Sequence, residues 1–390
     1  MRFLHTSDWH LGRSIRGRSR IDESARVLDE VVAIARDQKV DAVLIAGDTF
    51  DAFGPPTEAQ KLLYDTLARL GDDGRHVVMI AGNHDSAPRM DASAMLLRRA
   101  GVYCIGTPPK CDPHVPLRIT TKSGETATIV AVPWISERFL LDFETLFGTA
   151  QDLHAQYSSR MQKLLEHYAA AFDAATINVL MGHMFVDKAK PGGGERQLQM
   201  GELYAVLGET LPSQAQYIAL GHVHKDQQVP GSPVTPGSFY CGSLLQLDFG
   251  EAEQKKSVRI VDIPGPGLPA QSEAIEVAGG TTLRDINTTL ADLPSYAGKH
   301  PDDYLRVFVE VGEHVPSLTQ HVRDVLPNAI DVIAVRTDEP AAPSDAPRRG
   351  MEPHELVARY YRDAHGSEIP RDLLDLFKRM HEEEALHAAN

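Results

Sequence analysis

Cysteines and long apolar runs are both scarce in this chain of 390 residues. Its three cysteines, Cys104, Cys111 and Cys241, are an odd number and contain no CxxC pair. This pattern argues against a disulfide scaffold or a thiolate zinc site and favours reduced thiols in a reducing compartment. The chain has no run of about 18 apolar residues, so no transmembrane helix is predicted. Residues 2–5 favour a strand over a signal peptide, and we therefore expect a cytoplasmic protein without membrane contact.

Positive charge is also in short supply. The chain has 39 Lys and Arg against 54 Asp and Glu, a formal net charge of −15, which excludes the basic footprint of a non-specific nucleic-acid coat protein. DNA binding is still compatible with this balance, because a metal centre and a short arginine-rich loop can supply local positive charge. The sequence also lacks a G-x-x-x-x-G-K-[ST] loop. We therefore expect no ATP hydrolysis by that route and no nucleotide bound by this chain.

The chain is long enough for two or three folded units, and its first part alternates strand and helix patterns. Short apolar runs bounded by glycine predict buried strands at residues 42–46, 77–81, 177–181 and 218–220. Amphipathic spacing predicts helices at residues 22–36 and 57–70. This alternation is typical of an α/β fold.

Two segments rich in proline divide the chain into expected domains. Residues 264–269 are dense in Pro and Gly, and residues 338–350 are rich in Ala, Pro, Ser and Asp. We predict a first domain at 1–265, a small α/β capping domain at 270–337, a flexible linker at 338–350 and two short helices at 351–390. Within the small domain the pattern predicts strands at 274–277, 305–311 and 330–336 and helices at 283–293 and 317–325.

Five short motifs, each at the end of an apolar run, supply Asp, Asn and His. They are Asp8-Trp9-His10, Gly47-Asp48 followed by Asp51, Gly82-Asn83-His84-Asp85, Gly182-His183 and Gly221-His222-Val223-His224. Ligands gather at the carboxyl ends of strands in α/β sheets, so the motifs are expected to meet in one crevice. The pairs at i and i+2 are expected to lie on extended backbone that points both side chains to one side.

Carboxylate, imidazole and amide groups in this combination suit two divalent ions that share one carboxylate. We expect Asp48 to be the shared ligand. The expected sets are Asp8, His10 and His224 for one ion, and Asn83, His183 and His222 for the other. A hydroxide between the ions is the expected nucleophile. His84 would stabilise charge on phosphorus or protonate the leaving oxygen, with Asp85 orienting it.

Each motif alone has an ordinary interpretation as a turn after a strand. Gly-Asn-His-Asp is rarer, with on the order of 10⁻³ occurrences expected by chance in a chain this long. The presence of all five motifs in order favours the functional interpretation.

Basic residues near these motifs are candidates for DNA contact, because guanidinium groups hold phosphates bidentately. Their alternative interpretation is a solvated loop. The segment 187–199 follows His183 and is either a flap over substrate or a loose loop. The candidates are Arg13, Arg16, Arg18, Arg20, Lys188 and Lys190.

The two helices predicted at 351–390 carry many apolar side chains for a segment on a flexible linker. They are interpreted either as folding back on their own domain or as a docking element for a partner helix. The candidate partner-binding residues are Leu356, Tyr360, Tyr361, Leu373, Leu374 and Phe377.

The motifs and their surrounding residues make the chain similar to the calcineurin-like metallophosphoesterases and, within them, to the SbcD family of bacterial nuclease subunits. The similarity covers roughly residues 1–260 and rests on residues 5–12, 46–51, 81–86, 217–224 and 240–243. It implies a four-layer α/β fold of two stacked β-sheets flanked by helices, with a capping domain. The glycines at 192, 193 and 194 depart from the family pattern, which affects the substrate contacts expected of that loop.

The resemblance also implies an activity and partners. The family cuts DNA ends and hairpins as 3′-to-5′ exonuclease and endonuclease in DNA repair and recombination. It uses two divalent ions, with Mn²⁺ expected and Mg²⁺ as an alternative. The tail would bind the coiled coil of an SbcC-type ATPase, and residues 57–70 and 89–99 would form a homodimer within a nucleoid-associated heterotetramer.

Two other functions are alternatives, a metallophosphoesterase for phosphoproteins or cyclic nucleotides and a non-catalytic scaffold. The complete ligand set argues against the scaffold.

Overall fold

The computed structural model describes residues 1–109, 116–136, 139, 156–195, 205–312 and 315–336, together with ten residues between 357 and 377. The chain divides into two compact units, Met1–Val335 and Arg336–Asn390. Among the described residues the helices are α1 (Ile21–Asp37), α2 (Thr57–Gly71), α3 (Ala87–Arg98), α4 (Gln156–Ala169) and α5 (Leu318–Val325). The strands are β1 (Arg2–Thr6), β2 (Ser14–Ile15), β3 (Arg18–Ser19), β4 (Ala42–Ile45), β5 (His76–Ile80), β6 (Val102–Ile105), β7 (Leu117–Thr120), β8 (Thr126–Val132), β9 (Ile177–His183), β10 (Phe185–Val186), β11 (Ala205–Val206), β12 (Tyr217–Gly221), β13 (Gln227–Gln228), β14 (Ser238–Tyr240), β15 (Ser257–Asp262), β16 (Gln271–Glu276), β17 (Leu283–Thr289), β18 (Tyr304–Val311) and β19 (Ala329–Arg336).

Two six-stranded sheets form the body of the first unit. The first has the order β16-β15-β1-β4-β5-β6 and the second β13-β14-β12-β9-β8-β7. Strands β1, β4, β5 and β6 run parallel, as do β8, β9, β12 and β14. Parallel sheets are covered on both faces, which explains why the central strands are continuous apolar runs. The strands and helices predicted from those runs and from the amphipathic spacing are confirmed, with ends shifted by one or two residues.

The sheets stack face to face and are flanked by helices. Phe3, Leu44 and Ile80 of the first sheet share a core with Ile129 and Val179 of the second. Helices α1, α2 and α3 cover the outer face of the first sheet, and α4 covers that of the second. The expected four-layer fold is confirmed. In each sheet the parallel strands end at one edge, which brings distant segments of the chain together.

Residues 283–335, the last part of the first unit, form a small subdomain with its own core, called the small unit below. Strands β17, β18 and β19 form a three-stranded sheet, and Val322 of α5 packs with Val307 and Val309 beneath it. The predictions for 305–311, 317–325 and 330–336 are confirmed. The predicted helix at 283–293 is wrong, because Leu283–Thr289 is a strand paired in parallel with β18. Leu283 and Ile286 are buried three positions apart, a spacing that resembles a helix.

The boundary predicted at 264–269 is also wrong. Strand β16, expected in the small domain, pairs antiparallel with β15 and is the edge of the first sheet. The Pro- and Gly-rich residues therefore connect two neighbouring strands of one sheet.

In the unit Arg336–Asn390 only isolated residues are described. Val357, Tyr361 and Leu373 are helical, and the backbone N–H of Leu374 donates to the carbonyl of Pro370, 3.1 Å away. The linker 338–350 and the candidate residues Leu356 and Tyr360 lie outside the described residues. Among the residues that the structure describes, no helix combines the length and apolar character that crossing a bilayer needs.

Candidate metal centre

The expected ligands all lie at the carboxyl ends of parallel strands. Asp8 follows β1, Asp48 follows β4, and Asn83 follows β5, while His183 ends β9. The side chains of all seven expected ligands are buried, with at most 6% of their surface exposed. The crevice expected from the sequence is therefore formed by the meeting strand ends of both sheets.

The backbone that presents these ligands is not the expected extended chain. Asp8, His10 and Asp48 have φ of 52°, 46° and 50°, and His222 has φ of 97°. Residues with side chains rarely adopt this left-handed region, and each costs of order 1–3 kcal/mol. The prediction of extended i, i+2 pairs is wrong. Sharp turns at the strand ends aim the side chains inward, and Gly47 (φ 94°) has no room for a Cβ beside His183.

The first set of expected ligands is Asp8, His10 and His224, whose ligand atoms lie within 4.8 Å of one another. The Nε2 atoms of His10 and His224 are 3.2 Å apart. The Nδ1 of His10 lies 3.2 Å from Asp51 Oδ1, and the Nδ1 of His224 lies 3.0 Å from Glu251 Oε1. Each carboxylate accepts a hydrogen bond from its histidine, which fixes the tautomer and turns Nε2 toward the centre.

These tautomers decide what the first set can bind. With Nδ1 protonated on both neutral rings, the two Nε2 lone pairs face each other at 3.2 Å. That arrangement is repulsive unless a proton or a metal cation lies between them. The buried carboxylate of Asp8 adds negative charge to the same place. A divalent cation fits this donor set.

The second set is Asn83, His183 and His222. Asn83 Oδ1 lies 2.9 Å from His183 Nε2 and 2.9 Å from His222 Nδ1. The Nδ1 of His183 donates to the carbonyl of Ala46 at 2.8 Å, which leaves its Nε2 lone pair facing the amide oxygen. Burial opposes a proton on His183, but Asp48 outweighs burial and raises the pKa of His183 to about 9. Carboxylates that favour a proton here also favour a bound cation.

Asp48 lies between the two sets. Its Oδ2 is 3.7 Å from His10 Nε2 and 3.4 Å from His183 Nε2. Burial alone would raise the pKa of Asp48, but His183 and His10 hold it far below its usual range. Asp48 is therefore an anion within reach of both sets, which fits the expected shared ligand.

His84 is buried beside the two sets. Its backbone N–H donates to Asp48 Oδ1 at 2.8 Å, and its ring Nδ1 donates to the carbonyl oxygen of Asp51 at 2.8 Å. Its ring meets that of His10 edge-on, with the centroids 4.7 Å apart.

Asp85 does not orient His84, and that expectation is wrong. Its two oxygens accept hydrogen bonds from the backbone of Gly82, Thr49 and Phe50 and from the Thr49 hydroxyl, at 2.8–3.1 Å. Burial, and then the charge of Asp48, raise the pKa of Asp85. Asp85 ties together the loops that carry Asp48 and Asn83. The His84 ring is held by the Asp51 carbonyl instead.

The four candidate arginines of residues 13–20 contact other protein groups more than the sequence suggests. Arg20 is 1% exposed, pairs with Glu23 and donates to two backbone carbonyls, so the prediction that it binds DNA is wrong. Arg13 lies 3.1 Å from Asp51 Oδ1, and Arg16 lies 2.8 Å from Asp331 Oδ2. Arg18 lies over the ring of Tyr304, 5.7 Å from its centroid. These three keep exposed surface.

Lys188 and Lys190 are exposed on the segment after His183. Of that segment, residues 196–199 lie outside the described residues. Glu195 accepts from the backbone N–H of His224 at 2.9 Å, so the part preceding residue 196 contacts the centre.

Several residues at the centre were missed by the sequence reasoning. Asp51 belongs to the motif of Asp48, but the sequence predicts no role for it. Trp134, whose ring lies 5.2 Å from that of His222, follows the apolar strand β8 as the ligands follow theirs. Glu251 and Lys256 belong to no motif, and only the folded chain brings them beneath His224.

Comparison with known proteins agrees with this geometry. A family model for calcineurin-like phosphoesterases matches residues 1–226. SbcD of Bacillus subtilis, named as a subunit of the nuclease SbcCD, is 36% identical over 286 residues, which are 73% of this chain and 71% of that protein. Its namesake in Rhodobacter capsulatus is 31% identical, over 69% of this chain and 68% of that protein. The Escherichia coli K12 protein of this name is 30% identical over 86% of this chain and 85% of its own length.

The fold and the centre define a phosphoester hydrolase with a site for divalent metal ions. The chain belongs to the calcineurin-like phosphoesterases and, within them, to the SbcD family of SbcCD nuclease subunits. The resemblance noted in the sequence is confirmed.

Proposed function

We propose that this chain is the metal-dependent nuclease subunit of a complex that processes DNA. It cleaves phosphodiesters at DNA ends and hairpins, as 3′-to-5′ exonuclease and endonuclease, in repair and recombination. The observation that carries the proposal is that the Asp48 carboxylate lies within 4 Å of a histidine from each of two buried sets of candidate metal ligands. Hydrolysis of a phosphoprotein or cyclic nucleotide is not favoured, because the relatives reported above are named as nucleases.

Each set holds one ion in this proposal. Asp8, His10 and His224 would hold the first, Asn83, His183 and His222 would hold the second, and Asp48 would be shared by both. When bound, two divalent ions supply an activated water and neutralise charge on the phosphodiester. The oxygen donors of Asp8, Asp48 and Asn83 are of the kind that Mn²⁺ and Mg²⁺ take. Mn²⁺ is the ion proposed here, with Mg²⁺ as the alternative.

His84 is proposed to act directly on the substrate. Because Nδ1 donates to the Asp51 carbonyl, Nε2 is the ring atom assigned to the phosphodiester. A proton at Nε2 would stabilise charge on a phosphate oxygen or pass to the leaving oxygen.

DNA contacts are proposed on two segments that each follow an expected ligand. Arg13, Arg16 and Arg18 follow His10 and keep exposed surface, and Lys188 and Lys190 are exposed after His183. We propose that the small unit, as a capping domain, extends this surface. Contacts of this kind bind phosphates and position the duplex without reading its sequence.

The names of the relatives describe one subunit of a complex, and we propose that this chain likewise works with an SbcC-type ATPase. The helices predicted at 351–390 would bind its coiled coil through the six candidate partner-binding residues named above. Of these, Leu373 is 44% exposed.

A homodimer through α2 and α3 is proposed within the heterotetramer. The exposed side chains of Tyr64, Met95 and Leu96 on those helices support it.

The first test compares the wild-type chain with His84→Gln, each with Mn²⁺ and labelled linear and hairpin DNA. We expect cutting by the wild type and a loss of about 10²-fold or more in the variant, with Mn²⁺ affinity retained. Undiminished cutting by His84→Gln would refute the role of His84.

A chain truncated after residue 350 should keep hydrolysis of a small phosphodiester and lose binding of the ATPase. Full-strength binding by that chain would refute the docking segment.

A further inference from the structure

A short turn beneath His224 links the metal centre to the small unit. The 3₁₀ turn Phe249–Glu251 places Glu251 under the imidazole of His224. Glu251 is 0% exposed, and its Oε1 accepts from His224 Nδ1 at 3.0 Å. Buried carboxylates that hold a metal-binding histidine fix its tautomer and its orientation.

Glu251 is also held by a buried lysine and by the backbone. Its Oε2 accepts from Lys256 Nζ at 2.6 Å and from the backbone N–H of Leu247 at 3.1 Å. Lys256 also donates to the carbonyl of His224 at 3.0 Å. The ring and the backbone of His224 are thus attached to one buried ion pair.

The other end of the turn packs against the small unit. Phe249 is 2% exposed and shares an apolar cluster with Ile15 of β2 and with Leu283 and Ile330 of the small unit. Arg306 of β18 lies over the Phe249 ring, 4.7 Å from its centroid. One turn of three residues therefore contacts both a metal-binding histidine and the small unit.

A second connection reaches the other histidine of the same set. The loop after His10 holds Asp51 through Arg13 and contacts the small unit through the ion pair of Arg16 with Asp331. His183 of the second set has no such link among its described contacts, since its Nδ1 donates to the Ala46 carbonyl at the end of β4.

We propose that Glu251 is a positioning residue for His224, and that through Phe249 the first ion site depends on the seating of the small unit. The second ion site is independent of it. The proposal rests on the two-ion function proposed above and adds that only one of the two sites responds to the small unit. A partner or DNA that displaces the small unit would then change the first ion's affinity and so the activity.

The test is a calorimetric titration of metal-free protein with Mn²⁺, paired with the electron paramagnetic resonance signal of spin-coupled Mn²⁺. Wild-type protein should bind two ions. In Glu251→Gln the first ion should bind about 10- to 100-fold more weakly, while the second keeps its affinity. The spin-coupled signal should then appear only at higher Mn²⁺. Glu251→Asp keeps the charge beside Lys256 and should recover part of the affinity.

Phe249→Ala is the decisive variant, because it removes packing to the small unit without touching a ligand or a carboxylate. It should weaken the first ion alone, by about 2- to 30-fold. Tyr103→Ala is the matched control, since Tyr103 is also an arginine-stacked ring but lies on β6, at the far edge of the first sheet. It should change neither affinity.

The outcomes separate this proposal from the proposed function. Wild-type affinities for both ions in a folded Phe249→Ala variant would overturn the coupling, even if Glu251→Gln failed to fold. Equal weakening of both ions would overturn the claim that one site responds. A wild-type chain that bound no Mn²⁺ would instead refute the two-ion function itself.

Discussion

The two halves of the metal centre are held in different ways. In the first set, His10 and His224 are oriented by the carboxylates of Asp51 and Glu251, which lie on loops. In the second set, His183 ends a central strand and is oriented by a main-chain carbonyl of the facing sheet. A main-chain partner moves only if the sheet moves, whereas a loop carboxylate can shift with whatever the loop contacts. The comparison teaches that His183 is held through the sheets while His10 and His224 are held through loop carboxylates, so we expect the first set to be the more adjustable half of the centre.

The largest effect is expected where the halves meet. Asp48→Asn removes the anion within reach of both sets, so both ions should be lost together and the halves should no longer differ. We expect kcat/KM for a small phosphodiester to fall about 10³-fold or more, which is about 4 kcal/mol of transition-state stabilisation. Mn²⁺ titration measures the ion loss.

The control for Asp48→Asn is Asp65→Asn, the same chemical change on an exposed carboxylate of α2. It should leave both affinities unchanged. If Asp48→Asn lost only one ion, Asp48 would belong to a single set.

A smaller effect should separate the halves. In Asp51→Asn the His10 ring loses its charged acceptor, so the first ion should bind about 10-fold more weakly while the second is unchanged. The Asp51 main-chain carbonyl that holds His84 is retained, so binding of the first ion should weaken more than the chemical step slows. The value of kcat at saturating Mn²⁺ should therefore stay close to that of the wild type. Asp29→Asn, at an exposed ion pair with Arg69, is the control. An equal loss of both ions would contradict the division.

The third effect concerns the sheets that carry the centre. His5 lies between them, and burial, with the charge of Arg259, lowers its pKa from 6.5 to about 3. The folded chain therefore binds a proton at His5 less readily than the unfolded chain. Above pH 6.5 His5 is neutral in both states and does not lower the free energy of unfolding. Below pH 6.5 the unfolded chain binds this proton first, so the free energy of unfolding falls as pH falls toward 3.

At pH 5 the expected loss through His5 is about 2 kcal/mol. The measurement is the free energy of unfolding of metal-free protein in urea at pH 7.5 and pH 5. His5→Gln should lose about 2 kcal/mol less than the wild type between these values. His321→Gln, at an exposed residue of α5, should behave as the wild type does. An unchanged pH dependence in His5→Gln would assign the acid sensitivity to the metal centre instead.

Most of the two-sheet core was predictable, because its central strands are buried on both faces and therefore consist of continuous apolar residues. The errors lie where one pattern has two physical meanings. Leu283 and Ile286 are spaced as in a helix, but pairing with β18 makes them a strand. Residues 264–269 have the composition of a linker, yet they join two strands of the first sheet. Propensity is local, and neighbouring strands decided both cases.

The sequence by itself determined the four-layer fold, the family and the choice of Asp, Asn and His residues at strand ends, because each of these is carried by a contiguous motif. Only the tertiary structure decided how those residues are supported. It buried Arg20 against Glu23, turned Asp85 toward the loop backbone, and brought Glu251 and Lys256 under His224. These contacts join residues distant in sequence or depend on which way a side chain points. No local sequence pattern predicts such contacts or side-chain directions, because both follow from how the sheets and loops pack.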